Sequence, residues 1–178
     1  MRITCRNLKI SIRIRQPIDI TKLEMNGFLL VEKKQNFGLK VQGCSITFYK
    51  HCHRTLHVTG IKSKSQLVAI FEFVRSTIDS EIVSSQVDNS LFSFKNRAAG
   101  PPLNFDTAIK KVEKEGLYTC SYLPEIFPAL FIKPKSCLKK EGLPTILLFA
   151  SGSVVMLGAK SLAKIDTATC MVKNLLNK

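Results

Sequence analysis

The chain of 178 residues is short of acid: 13 aspartates and glutamates stand against 27 lysines and arginines. The resulting net charge of +14 favours polyanionic partners, nucleic acid before an anionic membrane surface. Histidine occurs only at 51, 53 and 57, in one short stretch, so no Ser-His-Asp or Cys-His-Asn constellation can be assembled from the sequence. His51, Cys52 and His53 are adjacent, and on a strand neighbours point to opposite faces. No second ligand pair sits at zinc spacing, so neither a metal nor a cofactor is expected. No stretch places two carboxylates together for acid–base work, and the chain does not read as an enzyme. None of the six cysteines forms a Cys-x-x-Cys pair, which suits free thiols in a reducing compartment rather than a disulfide framework. No charged segment followed by an apolar one opens the chain, so no secretory signal is expected.

Long hydrophobic runs are also lacking. The longest, LPTILLFASGSVVMLGA, is short for a bilayer span and is punctuated by Ser151-Gly152. Its glycines do not make a phosphate loop either. Gly152 and Gly158 enclose five residues rather than four, and Ala159 separates Gly158 from Lys160. The remaining reading is a hairpin: TILLF as one strand, ASGS as the turn, VVML as the return, and GAKS leading into a helix.

An earlier stretch echoes it. SITFYKHCHRTLHVTGIKS, residues 45–63, again runs strand, polar turn, return strand and Gly-x-Lys-Ser. Helical stripes follow both copies: Leu67, Ile70, Phe71, Val74 and Ile78 after the first, Leu162, Ile165, Thr169, Val172 and Leu176 after the second. Upstream, RNLKISIRIR and DNSLFSFKNR are Asn-led alternating strands. In the first, Leu8, Ile10, Ile12 and Ile14 face one way, and Asn7, Lys9, Ser11, Arg13 and Arg15 the other. A short helix is expected after Asp19 (DITKLEM) and another from Asp106 to near Gly116. The chain therefore reads as an α+β fold of two repeats, 1–80 and 81–178, joined through the polar stretch 79–89. Each is strand, short helix, four-strand meander, long helix. Two such sheets joined at their edges, with helices on one side, leave a bare face that calls for a partner.

These residues resemble the core of the TATA-box-binding protein family. YLPEIFPAL is similar to the family's Glu-Pro-Glu-Leu-Phe-Pro-Gly-Leu motif, and TILLFASGSVVMLGAKS to its strand-turn-strand motif. The first half keeps IDITKL, NFGLKV, ITFY and HVTGIKS in order, with a hairpin about three residues longer than the family's between Phe48 and Thr59. The resemblance covers essentially the whole chain. It implies a saddle: a curved ten-stranded antiparallel sheet with helices on the convex back.

It also implies a function. The concave face of such a saddle lies on the minor groove of A/T-rich promoter DNA, bends it, and becomes a platform for transcription initiation. The family's intercalating wedges fall on Phe37, Phe48, Phe127 and Phe149. Its central asparagines fall on Asn7 and Asn89, whose amides suit the acceptors of A·T pairs. Flanking floor positions are Leu91, Val155 and Leu157 in the second repeat and Lys9, His57 and Thr59 in the first. Lys9 and His57 replace valines of the family, and Leu157 replaces a threonine. A polar first-repeat floor predicts relaxed base preference there. Lys62, Lys133 and Lys160 stand at phosphate-contacting positions. Glu125 and Ile126 lie in the segment that in the family meets an initiation factor resembling TFIIB, upstream of the RNA polymerase machinery, and Leu123 replaces the motif's first acidic residue. The expected partners are thus double-stranded promoter DNA and initiation proteins, in the nucleus or at a site of viral transcription, since such divergence suits a virus-encoded or fast-evolving factor. The alternative is a saddle-fold protein-interaction module with weak or non-specific DNA binding.

Overall fold

A computed structural model describes residues 3–95, 102–139 and 141–176. Its strands form a ten-stranded antiparallel sheet. By contacts the chain divides into two compact units: Arg6–Asp88, here the N-unit, and Asn89–Lys178 with Met1–Cys5, the C-unit.

The N-unit opens with β1 (Thr4–Ile14) and α1 (Ile20–Met25), then β2 (Val31–Glu32), β3 (Asn36–Val41), β4 (Cys44–Tyr49), β5 (Cys52–Ile61) and α2 (Lys64–Ser76). Strand order is β2-β3-β4-β5-β1. Asp19 caps α1 by accepting from the Lys22 amide at 3.1 Å, and Ser63 caps α2 by accepting from the Gln66 amide at 3.2 Å. Ile10, Ile12 and Ile14 of β1, Ile46 and Phe48 of β4, and Leu56 and Val58 of β5 are buried against Leu23 of α1 and Ile70, Phe73 and Val74 of α2. Each such side chain contributes roughly 1.5–3 kcal/mol of transfer free energy. Both helices therefore cover one face, and the alternate residues turn to a face without a helix of this unit.

The C-unit repeats the plan: β6 (Ile82–Phe94), whose residues up to Asp88 belong to the N-unit, α3 (Phe105–Glu115), β7 (Tyr118–Ser121), β8 (Ala129–Pro134), a short α4 (Ser136–Lys139), β9 (Thr145–Phe149), β10 (Val154–Leu157) and α5 (Leu162–Leu176). Strand order is β6-β10-β9-β8-β7. Phe94, Tyr118, Leu130, Ile132, Ile146, Leu148, Val154 and Met156 pack on Ala108 and Val112 of α3 and on Ile165, Ala168, Met171 and Val172 of α5. Thr169, within the expected stripe, is buried and spends its hydroxyl on the Ile165 carbonyl at 2.7 Å. The side chain of Leu162 lies outside the described residues.

The polar stretch 79–89, expected to hold the boundary, contains the start of β6 at Ile82, and the two units divide within it, between Asp88 and Asn89. Two local expectations are refined. The N-cap of α3 is Asn104, which accepts from the Thr107 amide at 3.2 Å, and Asp106 instead supplies negative charge to the first turn. The extra length of the first hairpin lies in its return strand, since β5 has 10 residues and β10 has 4. Cys5, Cys44, Cys52, Cys120 and Cys170 are free thiols, and Cys137 has no described side chain.

Candidate nucleic-acid interface

In β9 the buried residues are Ile146 and Leu148, so Thr145, Leu147 and Phe149 turn to the open face of the C-unit. Register carries that face sideways. Leu147 pairs with Val155, Thr145 with Leu157, Leu157 with Leu91, and Val155 with Ser93. Leu91, Val155, Leu157 and Leu147 thus make an apolar floor. Phe149 pairs with Ala129, and just before β8 a turn brings the amides of Ile126 and Phe127 onto the Leu123 carbonyl, both at 3.0 Å. The turn sets the Phe127 ring 6.1 Å from Phe149, edge to face, and 5.5 Å from Phe131. Phe127 keeps 37% of its surface exposed, a large fraction for a phenylalanine. Lys133 holds its Nζ 5.2 Å over the Phe131 ring, which carries a cation to the edge of the aromatic group.

The two asparagines are oriented by backbone donors. Asn7 Oδ1 accepts from the Gly60 amide at 2.8 Å, and Asn89 Oδ1 accepts from the Ser90 amide at 2.9 Å. An N–H donor demands the amide oxygen, so each side chain is left with its NH₂ to offer. Gly60, within β5, and Gly158, just after β10, stand at matching positions with φ of 91° and 85°, a left-handed backbone that explains the glycine of both Gly-x-Lys-Ser stretches. Lys62 and Lys160, two residues on, are exposed. Burial pushes the nearby Cys44 thiol up, with the Lys62 charge partly offsetting it.

The open face of the N-unit carries different chemistry. Thr59 pairs with Ser45, and His57 pairs with both Thr47 and Ser11. Ser11 Oγ donates to Asp88 Oδ2 at 2.6 Å and lies 2.9 Å from His57 Nδ1. Lys9 Nζ is 4.0 Å from the same carboxylate oxygen. Tyr49 stands edge-on to His57 with ring centres 5.6 Å apart.

The first-repeat wedges do not hold. Phe48 is 0% exposed and belongs to the N-unit core beside Ile46 and Cys44. Phe37 pairs with it across β3 and β4, the rings stacked at 5.7 Å, so it lies on the same helix-covered side. The reason is phase. Counting forward from the matching residues Ser45, paired with Thr59, and Thr145, paired with Leu157, the counterpart of Phe149 is Tyr49, and a shift of one residue reverses the face. Tyr49 and Asp88 are the open-face residues that the sequence reading missed, whereas Ser11 stands on the face expected for it beside Asn7 and Lys9. Strict alternation from Ser45 through Thr47 was the signal for Tyr49. Glu125 and Ile126 lie in the exposed turn before Phe127, and Ile126 is 79% exposed with Leu123 at 56%.

Residues 92–178 match the family described as transcription factor TFIID, or TATA-binding protein, TBP. No curated protein matches the chain in sequence. Among solved structures the chain is similar to Methanococcus jannaschii TBP at 19% identity, covering 98% of this chain and 99% of that one, with a TM-score of 0.67. At that identity the likeness speaks for the fold.

Proposed function

Because residues 92–178 match the TATA-binding protein family and the whole chain shares the fold of a TBP, we propose that it binds double-stranded promoter DNA through the minor groove, bends it, and recruits initiation proteins. The observation that carries the reading is the C-unit's open face. Apolar Leu91, Val155 and Leu157 lie beside an exposed Phe127 set against Phe149 at 6.1 Å, a pair of rings outside the core of their unit.

Such a floor excludes water and fits A·T edges, which present only acceptors, but has no partner for the guanine amino group. The NH₂ groups of Asn7 and Asn89 supply donors for those acceptors. Phe127 and Phe149 supply the wedge that unstacks a base step at a cost of a few kcal/mol, offset by the contact that the bend permits. Lys62, Lys133 and Lys160 neutralise phosphates along the edges, helped by the net charge of +14. Leu123, Glu125 and Ile126 offer a mainly apolar surface to an initiation factor in the manner of TFIIB. The protein acts where its template is transcribed, in a nucleus or at a viral transcription site.

Selection of bound duplexes from a random pool tests this. An enriched motif with an A·T run supports the promoter reading. Binding without enrichment and with steep salt dependence reduces the protein to a charge-driven binder. No binding leaves the fold as a protein-interaction module, which the polar N-unit face would then serve.

A further inference from the structure

The polar floor of the N-unit continues from Ser11 and His57 toward the first hairpin, and there it opens into a cavity of about 610 Å³. Arg13 of β1 and Thr55 of β5 both line it and pair with each other, two residues along the strands from the Ser11–His57 pair and so on the same open face. His51, His53 and Arg54 line it from the hairpin, and Ser84 from β6. The segment that leaves β1, with Pro17 at the cavity, is tied down on both sides. The Arg15 amide donates to the Glu81 carbonyl and the Ile18 amide to the His53 carbonyl, each at 2.9 Å. The site is therefore shaped before any ligand arrives.

Charge says what it suits. Among the described residues no carboxylate lines the cavity. Asp88 approaches it through the lining residues Ser11 and Gln86, at 2.6 and 3.3 Å, and Lys9 stands 4.0 Å from that carboxylate. Nearby cations are spent on acids: Arg15 on Glu81 at 2.8 Å, and Lys50 on Glu32. Arg13 and Arg54 are exposed and have no ion-pair partner among the described residues. His51 and His53 carry at least one ring N–H in either protonation state. Guanidinium forks beside N–H and hydroxyl donors match the oxygens of a phosphate, and so polar a lining does not suit an apolar molecule. The C-unit lacks the hairpin part of this arrangement. Its turn reads Ser151-Gly152-Ser153, and Lys95, the counterpart of Arg13, stands past the end of β6.

Resting on the minor-groove reading above, we infer that this cavity seats one phosphodiester of the DNA strand bordering the N-unit half-site, held by Arg13 and Arg54. The N-unit then grips the duplex through its backbone, which fixes register without reading bases, while the C-unit supplies the wedge.

The test is a scan of the selected duplex in which single phosphates are replaced by uncharged methylphosphonates. With the unaltered protein, one position in the half-site away from the unstacked step should lose affinity and flatten the plot of log affinity against log salt by about one unit. Arg13→Ala with Arg54→Ala should weaken binding to the unmodified duplex and abolish the response at that position alone, leaving the bend intact. If no position in that half-site responds, or if the double variant keeps the response, the inference is overturned and the minor-groove reading stands. Titration with pyrophosphate, followed by NMR, separates the sources of phosphate. Arginine-dependent binding of pyrophosphate with a silent scan makes the cavity a site for a free anion and also overturns the inference. If duplex DNA is not bound at all, both readings fall together. The scan on the unaltered protein decides the matter even where the variant does not fold.

Discussion

At matched register the C-unit places Leu91, Val155 and Leu157 where the N-unit places Lys9, His57 and Thr59, and Phe149 where the N-unit places Tyr49. The helix-covered faces show no such contrast. Isoleucine, leucine, valine and phenylalanine fill both cores. Folding constrains the covered face, because each polar atom buried there needs a partner. The open face is released from that constraint, so its composition is left to reflect what each half touches. One half offers a dry surface with two rings, the other a hydrogen-bonded polar floor.

The largest effect should come from exchanging the roles of the phenylalanines. Phe48→Ala removes a fully buried ring and should cost about 3–5 kcal/mol in denaturant unfolding, with the bend of the surviving folded fraction unchanged. Phe127→Ala with Phe149→Ala should leave unfolding cooperative and lose a kink, read by fluorescence transfer between labelled DNA ends. The reverse pattern would restore the symmetric wedge arrangement and dissolve the contrast. Next in size is the asymmetry of unstacking. A fluorescent 2-aminopurine at each candidate step should brighten only under the C-unit, where a few kcal/mol of stacking is surrendered. Brightening at both ends would return Phe37 to the groove.

Smaller still are the phosphate contacts. Lys133→Ala and Lys160→Ala should each flatten the plot of log affinity against log salt by about one unit. An unchanged slope would make them solvated surface charges. The smallest effect concerns the C-unit core. The Tyr118 hydroxyl is buried without a hydrogen-bond partner among the described residues, and burial, with Glu115 adding to it, pushes its pKa to about 12. Tyr118→Phe should leave thermal stability unchanged or raise it by up to about 1 kcal/mol, since no bond is lost. A clear loss in calorimetry would reveal a partner for that hydroxyl.

Much of this was legible in the chain. The two repeats, both hairpins, the helix after each, the Asp19 cap and the glycine end of α3 follow from residue periodicity and turn chemistry acting over a few positions. The faces of β1 were also readable, because Leu8, Ile10, Ile12 and Ile14 alternate without interruption. Ten strands in two repeats came from the same signals together with the family resemblance.

Tertiary structure decided which aromatic residues face outward in the N-unit and which polar groups meet there. A strand's face is a matter of phase, and phase is set by its paired neighbours. ITFY allows either Phe48 or Tyr49 to turn inward until Ile46 is locked against Val58 and Leu39. Asp88 reaches Ser11 from 77 residues away, and Ser11 reaches His57 across 46. No local pattern encodes such meetings. They exist because loop closure over those lengths is offset only when the whole sheet forms at once, bringing β1, β5 and β6 into register together.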